Sequence, residues 1–396
     1  VRHCLPLKPS YGEIMARVLI VDDSPSLRRL IRAHLMADPR VEVIGEACDP
    51  YEAREKIKAL QPDVITLDVE MPKMDGLEFL EKLMRLRPMP VVMLSTLTQA
   101  GSRTAIEALS LGAVECFAKP DGRDGSGGFE RLADVLIAAA QARPKGSSLR
   151  ARLLKTAQIE RVNSEKRRIE NGQSFDVAPE RGTLAQEATQ GNAGYRWNGT
   201  YVFIGSSTGG VDALETILAE YPADCPPTLI TQHMPESFLS SFARRLDNRV
   251  APRLELARDG VPSKQGHIYL APGGAFHLGI SGDSAPVCRL LKGEPRSGHR
   301  PSVDVLFQSA RILGPRALGV ILTGMGRDGA QEMLGLRHAG GRCFAQDEES
   351  SVVFGMPRAA LEYGGAERAI PLDRIAREIL TICGAETAPA ARKAKV

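Results

Sequence analysis

Three residues with the side chains of a nucleophilic triad each follow a short β-branched segment of the sequence. Ser207 lies in a glycine-rich turn, His233 ends the next such segment, and Asp328 lies in the loop after a third. A serine hydroxyl needs a base to become a nucleophile, and the base needs a carboxylate that fixes its tautomer. If the three segments are parallel strands, their ends meet. The sequence therefore predicts Ser207 as nucleophile, His233 as general base and Asp328 as the residue that orients the base.

The turn around Ser207 matches the G-x-S-x-G spelling of a nucleophile elbow, with glycines at 205 and 209. The motif alone is weak, since a glycine-rich turn between a strand and a helix also serves as a phosphate cradle or for close packing. The turn has neither the G-x-x-x-x-G-K-[ST] nor the G-x-G-x-x-G spacing of nucleotide sites, which disfavours the phosphate interpretation.

A tetrahedral intermediate at this site needs hydrogen-bond donors for its oxyanion. Glycines flank Met325 in the turn 324–326, and a helix is predicted over residues 208–220. The backbone amides of this turn and of the start of the helix are the candidate donors. The chain order Ser, His, Asp differs from the Ser, Asp, His order of α/β-hydrolases, so the predicted triad is not a variant of that fold.

Charged and hydroxyl side chains also lie at the ends of the strands predicted for the N-terminal part of the chain. Asp22 and Asp23 follow the first, Asp68 ends the third, Ser95 ends the fourth and Lys119 follows the fifth. One aspartate after a strand is more often a helix N-cap or a turn residue. Three carboxylates at one sheet edge repel one another unless a divalent cation neutralises them, and oxygen ligands suit magnesium. The set predicts Mg²⁺ beside an acyl phosphate on Asp68, with Lys119 pairing with the phosphoryl oxygens.

Two sets of alternating strands and helices must position these residues. Between residues 17 and 142, five β-branched segments alternate with amphipathic segments, which predicts a parallel sheet covered by helices on both faces. In such sheets the chemistry lies beyond the carboxyl ends of the strands. From residue 142 to 196 the strand pattern stops and basic residues accumulate among polar ones, which predicts a linker. A second alternating pattern begins at residue 201 and predicts a second α/β domain.

Composition and charge exclude several classes of protein. The 396 residues carry a net charge of +3, too small for a whole-molecule nucleic-acid or membrane-surface binder. The seven cysteines contain no C-x-x-C pair, so neither a zinc site nor a disulfide framework is indicated. No run of about 18 apolar residues occurs, and the N-terminal residues lack a signal-peptide pattern. We therefore expect a cytoplasmic protein without membrane insertion, in which residues 1–14 form a disordered extension.

Residues 15–138 resemble the receiver domains of bacterial two-component response regulators. The resemblance rests on VDDS at 21–24, LDVEMPKMDG at 67–76 and AKP at 118–120. It implies phosphorylation at Asp68, a set of Mg²⁺ ligands and a pair of switch residues. These are Asp22, Asp23, Asp68 and the Glu70 carbonyl for Mg²⁺, and Ser95 and Lys119 for the switch. Cys116 stands where many receivers carry a switching aromatic residue, and a one-residue shift of the strand would bring Phe117 to that place.

Residues 197–383 resemble the catalytic domain of chemotaxis protein-glutamate methylesterases, the CheB family. The resemblance rests on IGSSTGG at 204–210, TQHMP at 231–235, HRPSVDVLF at 299–307, LTGMGRDG at 322–329 and VVFGMP at 352–357. It implies that Ser207 is the nucleophile, that His233 is the base and then the acid, and that Asp328 orients His233, with Thr208 assisting. The family hydrolyses γ-glutamyl methyl esters on chemoreceptors without a cofactor, and many members also deamidate receptor glutamines.

Together the two resemblances imply an α/β fold class with two doubly wound parallel-sheet domains. A flavodoxin-like receiver (15–138) is joined by a flexible, basic linker (139–196) to a Rossmann-like serine-hydrolase domain (197–383) and a tail (384–396). The implied substrates are methyl-accepting chemotaxis receptors, with no nucleic-acid partner. In the implied mechanism the receiver covers the catalytic face until a chemotaxis histidine kinase phosphorylates Asp68. Two alternatives stay open: the same esterase chemistry in a chemosensory pathway with another output, and a non-enzymatic response regulator that contacts nucleic acid through residues 145–168.

Overall fold

The computed structural model describes residues 15–95, 99–119, 129, 131–142 and 194–385. The predicted extension 1–14 lies outside the described residues, as do most of the predicted linker 139–196 and almost all of the predicted tail 384–396. The described residues form two parallel sheets and one antiparallel hairpin. Among them no helix is both long enough and apolar enough to cross a membrane.

The first sheet has five parallel strands in the order β2-β1-β3-β4-β5. Its elements are β1 (Ala16–Val21), α1 (Pro25–Leu35), β2 (Val41–Ala47), α2 (Pro50–Leu60), β3 (Val64–Asp68), α3 (Gly76–Leu86), β4 (Val91–Ser95), α4 (Gln99–Leu111), β5 (Glu115–Ala118) and α5 (Leu132–Ala140). Successive side chains of a strand point to opposite faces. Leu19 and Val21 of β1 pack with α2, α3 and α4, whereas Val18 and Ile20 pack with α1 and α5. The sheet is therefore covered by helices on both faces.

The second sheet has seven parallel strands in the order β14-β13-β12-β6-β7-β9-β8. Its strands are β6 (Tyr201–Ser206), β7 (Thr228–Gln232), β8 (Arg253–Leu256), β9 (His267–Leu270), β12 (Ala317–Ile321), β13 (Arg342–Gln346) and β14 (Ala369–Ile370). Its helices are α6 (Gly210–Leu218), α7 (Glu236–Asp247), α8 (Val303–Ala310), a 3₁₀ helix (Arg311–Arg316), α9 (Ala330–His338), α10 (Met356–Glu362) and α11 (Leu372–Cys383). Two doubly wound parallel sheets confirm the predicted α/β fold class.

The order of the second sheet brings the ends of three strands together. From β6 the chain builds strands on one side, beginning with β7, and later returns to the other side of β6 with β12. Such a reversal is a topological switch point, where α/β sheets bind ligands beyond the carboxyl ends of the strands. Ser206 pairs with Gln232, and Gly205 pairs with Ile321. The residues that follow β6, β7 and β12 therefore emerge side by side.

Four strands of the C-terminal part were not predicted from the sequence. They are β8 (Arg253–Leu256), β14 (Ala369–Ile370) and the antiparallel hairpin of β10 (Phe276–Ser281) and β11 (Val287–Lys292). β8 and β14 have only four and two residues, which is too short for a clear period of two. The hairpin lies outside the seven-stranded sheet, and β11 (VCRLLK) has one buried residue and no alternation of apolar and polar residues, so it lacks the pattern of a half-buried strand.

The strand β5 does not shift its register to bring Phe117 into the place of Cys116. Met93 pairs with Cys116 and Leu94 with Phe117, without an irregularity. The Cys116 side chain is buried, and its Sγ donates to the carbonyl oxygen of Ala105 at 3.2 Å. Phe117 lies on the other face and stacks on Phe129 with 5.9 Å between ring centroids. The slot three residues before Lys119 therefore holds a buried thiol, in agreement with the departure that the sequence indicates.

Candidate functional site

The turn between β6 and α6 holds Ser207 at the edge of the second sheet. Ser207 N donates to Thr323 O at 3.1 Å, and Gly210 N donates to Ser207 O at 2.7 Å, so the chain reverses within one turn. Gly209 adopts a φ of +78°, and a Cβ there would lie 2.6 Å from Val352 Cβ. Only glycine fits this conformation and this space. The tight turn leaves the Ser207 residue 8% exposed at the strand end.

Gln232, the last residue of β7, ties the ends of β6 and β7 together. Its Nε2 donates to Ser207 O at 2.9 Å and to His233 O at 3.1 Å, and its Oε1 accepts from Ser206 Oγ at 2.6 Å. A fully bonded buried amide fixes the groups around it. The sequence analysis did not single out Gln232, although it precedes His233 directly. Its role depends on neighbours from another strand, which its own segment does not reveal.

His233 is bonded to Asp328 through one ring nitrogen and keeps the other free. His233 Nε2 lies 2.7 Å from Asp328 Oδ2. A carboxylate only accepts, so Nε2 carries the proton and Nδ1 carries the lone pair. His233 Nδ1 is buried and has no hydrogen-bond partner among the described residues. An unengaged lone pair on an oriented imidazole is the state that a general base requires. Within the same part of the chain no hydrogen bond joins Ser207 Oγ to this nitrogen, although both residues follow directly from paired strand ends.

The Asp328 carboxylate is held by three donors besides His233. Ser302 Oγ and Asp304 N donate to Oδ1 at 2.8 and 3.0 Å, and Val303 N donates to Oδ2 at 2.7 Å. Two of these donors are the first backbone amides of α8, where the helix dipole favours an anion. Burial alone would raise the pKa of Asp328, but the bonds from His233 and α8 hold it below its usual value. Asp328 therefore stays ionised while it orients the imidazole.

The loop 324–326 passes directly against Ser207. A Cβ on Gly324 would lie 2.6 Å from Ser207 Cβ, so the loop approaches this closely only because residue 324 is glycine. Gly324 N donates to Val353 O at 3.0 Å and is not free for an oxyanion. Met325 N donates to no acceptor within the described segments. Gly326 N likewise donates to no acceptor in the described residues, so this loop offers the amides of Met325 and Gly326 as candidate donors.

The described part of the chain also brings together three of the four predicted magnesium ligands, the carboxylates of Asp22, Asp23 and Asp68. One carboxylate oxygen from each of Asp22, Asp23 and Asp68 lies within 4.8 Å of the others. Asp22 Oδ2 is buried without a hydrogen bond, although Lys119 Nζ lies 3.2 Å away. A buried, under-satisfied carboxylate oxygen in an all-oxygen set fits Mg²⁺. Glu70 contributes a backbone N–H to Asp68 Oδ1 at 3.4 Å.

Lys119 lies beside Asp68, and Ser95 follows Leu94, the strand partner of Asp68. Lys119 Nζ lies 2.6 Å from Asp68 Oδ1, and Lys119 N donates to Ser95 O at 2.8 Å. Burial raises the pKa of Asp68, the bond from Lys119 lowers it, and the charge of Asp22 raises it, so that the net shift is upward. An aspartate with raised basicity beside a lysine is suited to nucleophilic attack on an anionic phosphoryl group.

Comparison with known proteins assigns the chain to a family. The family described as CheB methylesterase matches residues 202–379, and the family described as response regulator receiver domain matches residues 18–125. The protein-glutamate methylesterase/protein-glutamine glutaminase of Agrobacterium fabrum is 51% identical over 93% of this chain and 97% of its own length. The chain belongs to the CheB methylesterase family.

One further relative matches most of the chain, and one solved structure matches its methylesterase domain. A protein-glutamate methylesterase/protein-glutamine glutaminase of Caulobacter vibrioides is 48% identical to this chain, over 93% of this chain and 98% of its own length. The crystal structure of the Thermotoga maritima CheB methylesterase catalytic domain has 37% identity and a TM-score of 0.45, and the match covers 47% of this chain and 99% of that structure.

In this CheB-family chain the receiver domain lies against the methylesterase domain beside Ser207. Helix α4 of the receiver packs against α6 and α7 of the methylesterase domain. Thr208 Oγ1 donates to Glu115 Oε2 at 2.7 Å, and Arg131 Nη2 lies 3.2 Å from His299 Nε2. A cavity of about 380 Å³ separates α5 from the loop around Met325. The receiver thus contacts both sides of the predicted catalytic residues.

His299 is the second residue that the sequence analysis missed. The sequence analysis assigned it no role, yet its ring lies flat on His233, with 3.8 Å between centroids and 4° between planes. The stacking depends on a tight turn that brings residue 299 back over the strand end. Its signal in the sequence is the HRPSVDVLF segment, which carries the family resemblance without revealing what the histidine touches.

Proposed function

We propose that this protein hydrolyses γ-glutamyl methyl esters on methyl-accepting chemotaxis receptors and also deamidates receptor glutamines. Phosphorylation of the receiver at Asp68 raises this activity, and the reaction takes place in the cytoplasm. The observation that carries the proposal is the bond between His233 Nε2 and Asp328, which leaves His233 Nδ1 free beside the turn of Ser207. Relatives that match over almost their whole length are named for both activities.

The proposed reaction needs only a hydroxyl nucleophile and a proton shuttle. His233 Nδ1 takes the proton of Ser207 Oγ, which attacks the ester carbonyl. Met325 N–H then donates to the resulting oxyanion, and Asp328 stabilises the imidazolium. Collapse of the intermediate returns the proton to the leaving oxygen, releases methanol and leaves an acyl ester on Ser207. Water then attacks this ester with His233 as base, the proton passes from His233 to Ser207 Oγ as the acyl bond breaks, and the receptor side chain leaves as glutamate. A glutamine substrate follows the same course with ammonia as leaving group.

The receiver residues fit phosphorylation by a chemotaxis histidine kinase. Asp22, Asp23, Asp68 and the Glu70 carbonyl would hold Mg²⁺, which neutralises the charge that builds up during phosphoryl transfer. Asp68 provides the carboxylate nucleophile. Lys119 is already paired with Asp68, so it would move to the phosphoryl oxygens once they arrive.

The contact between Thr208 and Glu115 supports regulation by docking. Thr208 follows the proposed nucleophile directly, and its hydroxyl is engaged by a carboxylate of the receiver. In this docked arrangement the His233 side chain is only 7% exposed, and His299 of the same domain covers one face of its ring. Glu115 begins β5, and Lys119 follows its end, so one short strand joins the phosphorylation site to this contact. Phosphorylation would displace the strand and free the site.

The test measures methanol released from methyl-labelled receptor membranes, with and without Mg²⁺ and a small-molecule phosphodonor. We expect wild type to release methanol faster with the phosphodonor, Ser207→Ala to release none, and Asp68→Asn to show no stimulation. Ser240→Ala is a matched control, because this hydroxyl donates only to Ser237 O on α7. Release by Ser207→Ala at the wild-type rate would assign the nucleophile elsewhere. A wild type that releases no methanol under any condition contradicts the proposal.

A further inference from the structure

The ring of His299 is held in place by a tight turn. Arg296 and His299 exchange both backbone hydrogen bonds at 3.0 Å, and the two residues between them, Ser297 and Gly298, have φ values of +53° and +78°. Two central residues with positive φ are typical of a type I′ turn. Ser297 Oγ donates to Asp304 Oδ2 at 2.6 Å, which anchors the turn to α8. His299 is therefore presented from a rigid support.

Its hydrogen bonds define His299 as a neutral imidazole. Nδ1 lies 2.8 Å from Ser297 O, and because a carbonyl only accepts, Nδ1 carries the proton. Nε2 then has the lone pair and accepts from Arg131 Nη2 at 3.2 Å. Burial and the neighbouring His233 lower the pKa of His299 to about 4, against a smaller opposing effect of Asp328. A neutral ring can lie against His233 without repelling the imidazolium that forms there during the reaction.

The bond to Asp328 alone does not fix the plane of the base. It holds one nitrogen of His233, while the ring can still swing about that contact. His299 lies parallel to the ring at 3.8 Å and closes off one of its faces. We propose that His299 is a positioning residue that keeps His233 in the plane where Nε2 reaches Asp328 and Nδ1 faces Ser207. The inference rests on the proposed function of the triad.

Arg131 contacts His299 in the docked state, so the activity test has to use the released state. It belongs to the receiver, so its guanidinium reaches His299 only while the two domains are docked. The charged or titratable groups that face His299 are then His233, Asp328 and Arg131. Activity measured with the phosphodonor reports the stacked pair in the released state, without the guanidinium.

The first experiment compares His299→Ala, which removes the ring, with His299→Phe, which keeps a flat ring but no nitrogen. Both are made in the full chain and assayed for methanol release with Mg²⁺ and phosphodonor. Because a displacement of about 1 Å can cost about 100-fold in rate, we expect the alanine variant to lose about 10- to 100-fold in kcat with KM within about 2-fold. We expect the kcat of the phenylalanine variant to stay within about 3-fold of the wild-type value. We expect the same of Arg131→Gln. An unchanged kcat in His299→Ala, or equal losses in both variants, would overturn the inference.

A second experiment needs no substrate and separates this inference from the proposed function. In the full chain with ¹⁵N-labelled histidine, the Nε2 proton of His233 should resonate far downfield and exchange slowly with water. We expect His299→Ala to speed its exchange by about 10-fold or more, His299→Phe to preserve it, and the exposed His338→Ala to leave it unchanged. Absence of methanol release together with these exchange rates contradicts the proposed substrate and supports the positioning role. Unchanged exchange in His299→Ala refutes the positioning role.

Discussion

Replacement of Asp328 by asparagine removes the charge that faces His233 and keeps the size of the side chain. Oδ1 accepts from Ser302 Oγ and Asp304 N, and Oδ2 accepts from His233 Nε2 and Val303 N. An amide nitrogen cannot accept, so it must face two donors in either orientation. On the Oδ1 side the Ser302 hydroxyl can turn and accept, which leaves one backbone N–H unpaired. On the Oδ2 side His233 can accept at Nε2 only if its proton moves to Nδ1, which blocks the nitrogen that takes the proton of Ser207 and leaves Val303 N unpaired. Each orientation therefore leaves one backbone N–H unpaired; the first keeps the tautomer of His233, and the second lowers the rate further.

The expected loss in rate comes from the imidazolium that forms when His233 takes the proton of Ser207. Two unit charges about 4 Å apart attract each other by about 4 kcal/mol at an effective dielectric constant of about 20. Since about 1.4 kcal/mol corresponds to a factor of ten, Asp328→Asn should lower kcat by about 1,000-fold. The one backbone N–H left unpaired should also lower the free energy of unfolding by about 1–3 kcal/mol.

The assay is methanol release with phosphodonor, together with urea denaturation. Asp304→Asn is the neighbouring control. The buried Asp304 carboxylate accepts from Gly329 N and Ser297 Oγ and interacts with the Asp328 carboxylate, but it does not touch His233. An amide fits these two partners, because the Ser297 hydroxyl can accept from its nitrogen. We expect less than about a 10-fold loss of kcat in the control. A loss of less than about 10-fold in Asp328→Asn would refute the view that the Asp328 charge stabilises the imidazolium.

Three further outcomes are expected. Burial in the docked state raises the pKa of Glu115, so protonation of Glu115 favours docking. The contribution of this proton to the stability of the docked state is complete below the ordinary carboxyl pKa, and it is lost as pH rises through the raised pKa. The ratio of methanol release without phosphodonor to that with it should therefore rise with pH, and Glu115→Gln should abolish the rise; a pH-independent wild-type ratio contradicts this. EDTA should abolish stimulation by phosphodonor and leave unstimulated release unchanged, because the proposed function assigns Mg²⁺ to the Asp68 site and no metal to the ester hydrolysis. Loss of both would place a metal in the esterase reaction. Gly209→Ala, at a φ of +78°, should cost at least about 1–2 kcal/mol in urea denaturation, with Gly364→Ala, at +76° but in open space, costing less.

The elements that carry Ser207, His233 and Asp328 could be predicted because their positions follow from local patterns. Each residue directly follows a β-branched segment, and parallel strands present their ends at one edge. The predicted sheet thus determined which three residues lie near each other. It did not determine that Asp328 accepts from the first turn of α8, because a loop and a helix that are distant in sequence meet only through packing.

The missed contacts depend on atoms that no local pattern specifies. His299 reaches His233 through the positive φ angles of Ser297 and Gly298, and serine rarely adopts such an angle. Glu115 and Thr208 are 93 residues apart in different domains. Composition and periodicity describe the elements of each domain, whereas a contact between domains depends on the complementarity of two finished surfaces.

Release of the receiver must involve more than the bond between Glu115 and Thr208. Moving an equilibrium from 1:99 to 99:1 takes about 5.5 kcal/mol, and a hydrogen bond to a charged group contributes about 1.5–3 kcal/mol. The contact of Arg131 with His299 is partly exposed and adds less. Ser110 Oγ of α4 also donates to Glu215 Oε1 of α6 at 3.2 Å, a second bond to a charged group. What remains is at most about 2.5 kcal/mol, which corresponds to no more than about 100 Å² of apolar surface at about 25 cal/mol per Å². Buried residues of α4 form one continuous apolar cluster with those of α6 and α7, so this is where such an area lies. Phosphorylation therefore has to displace α4 as well as β5, and a change confined to β5 would leave the docked state dominant.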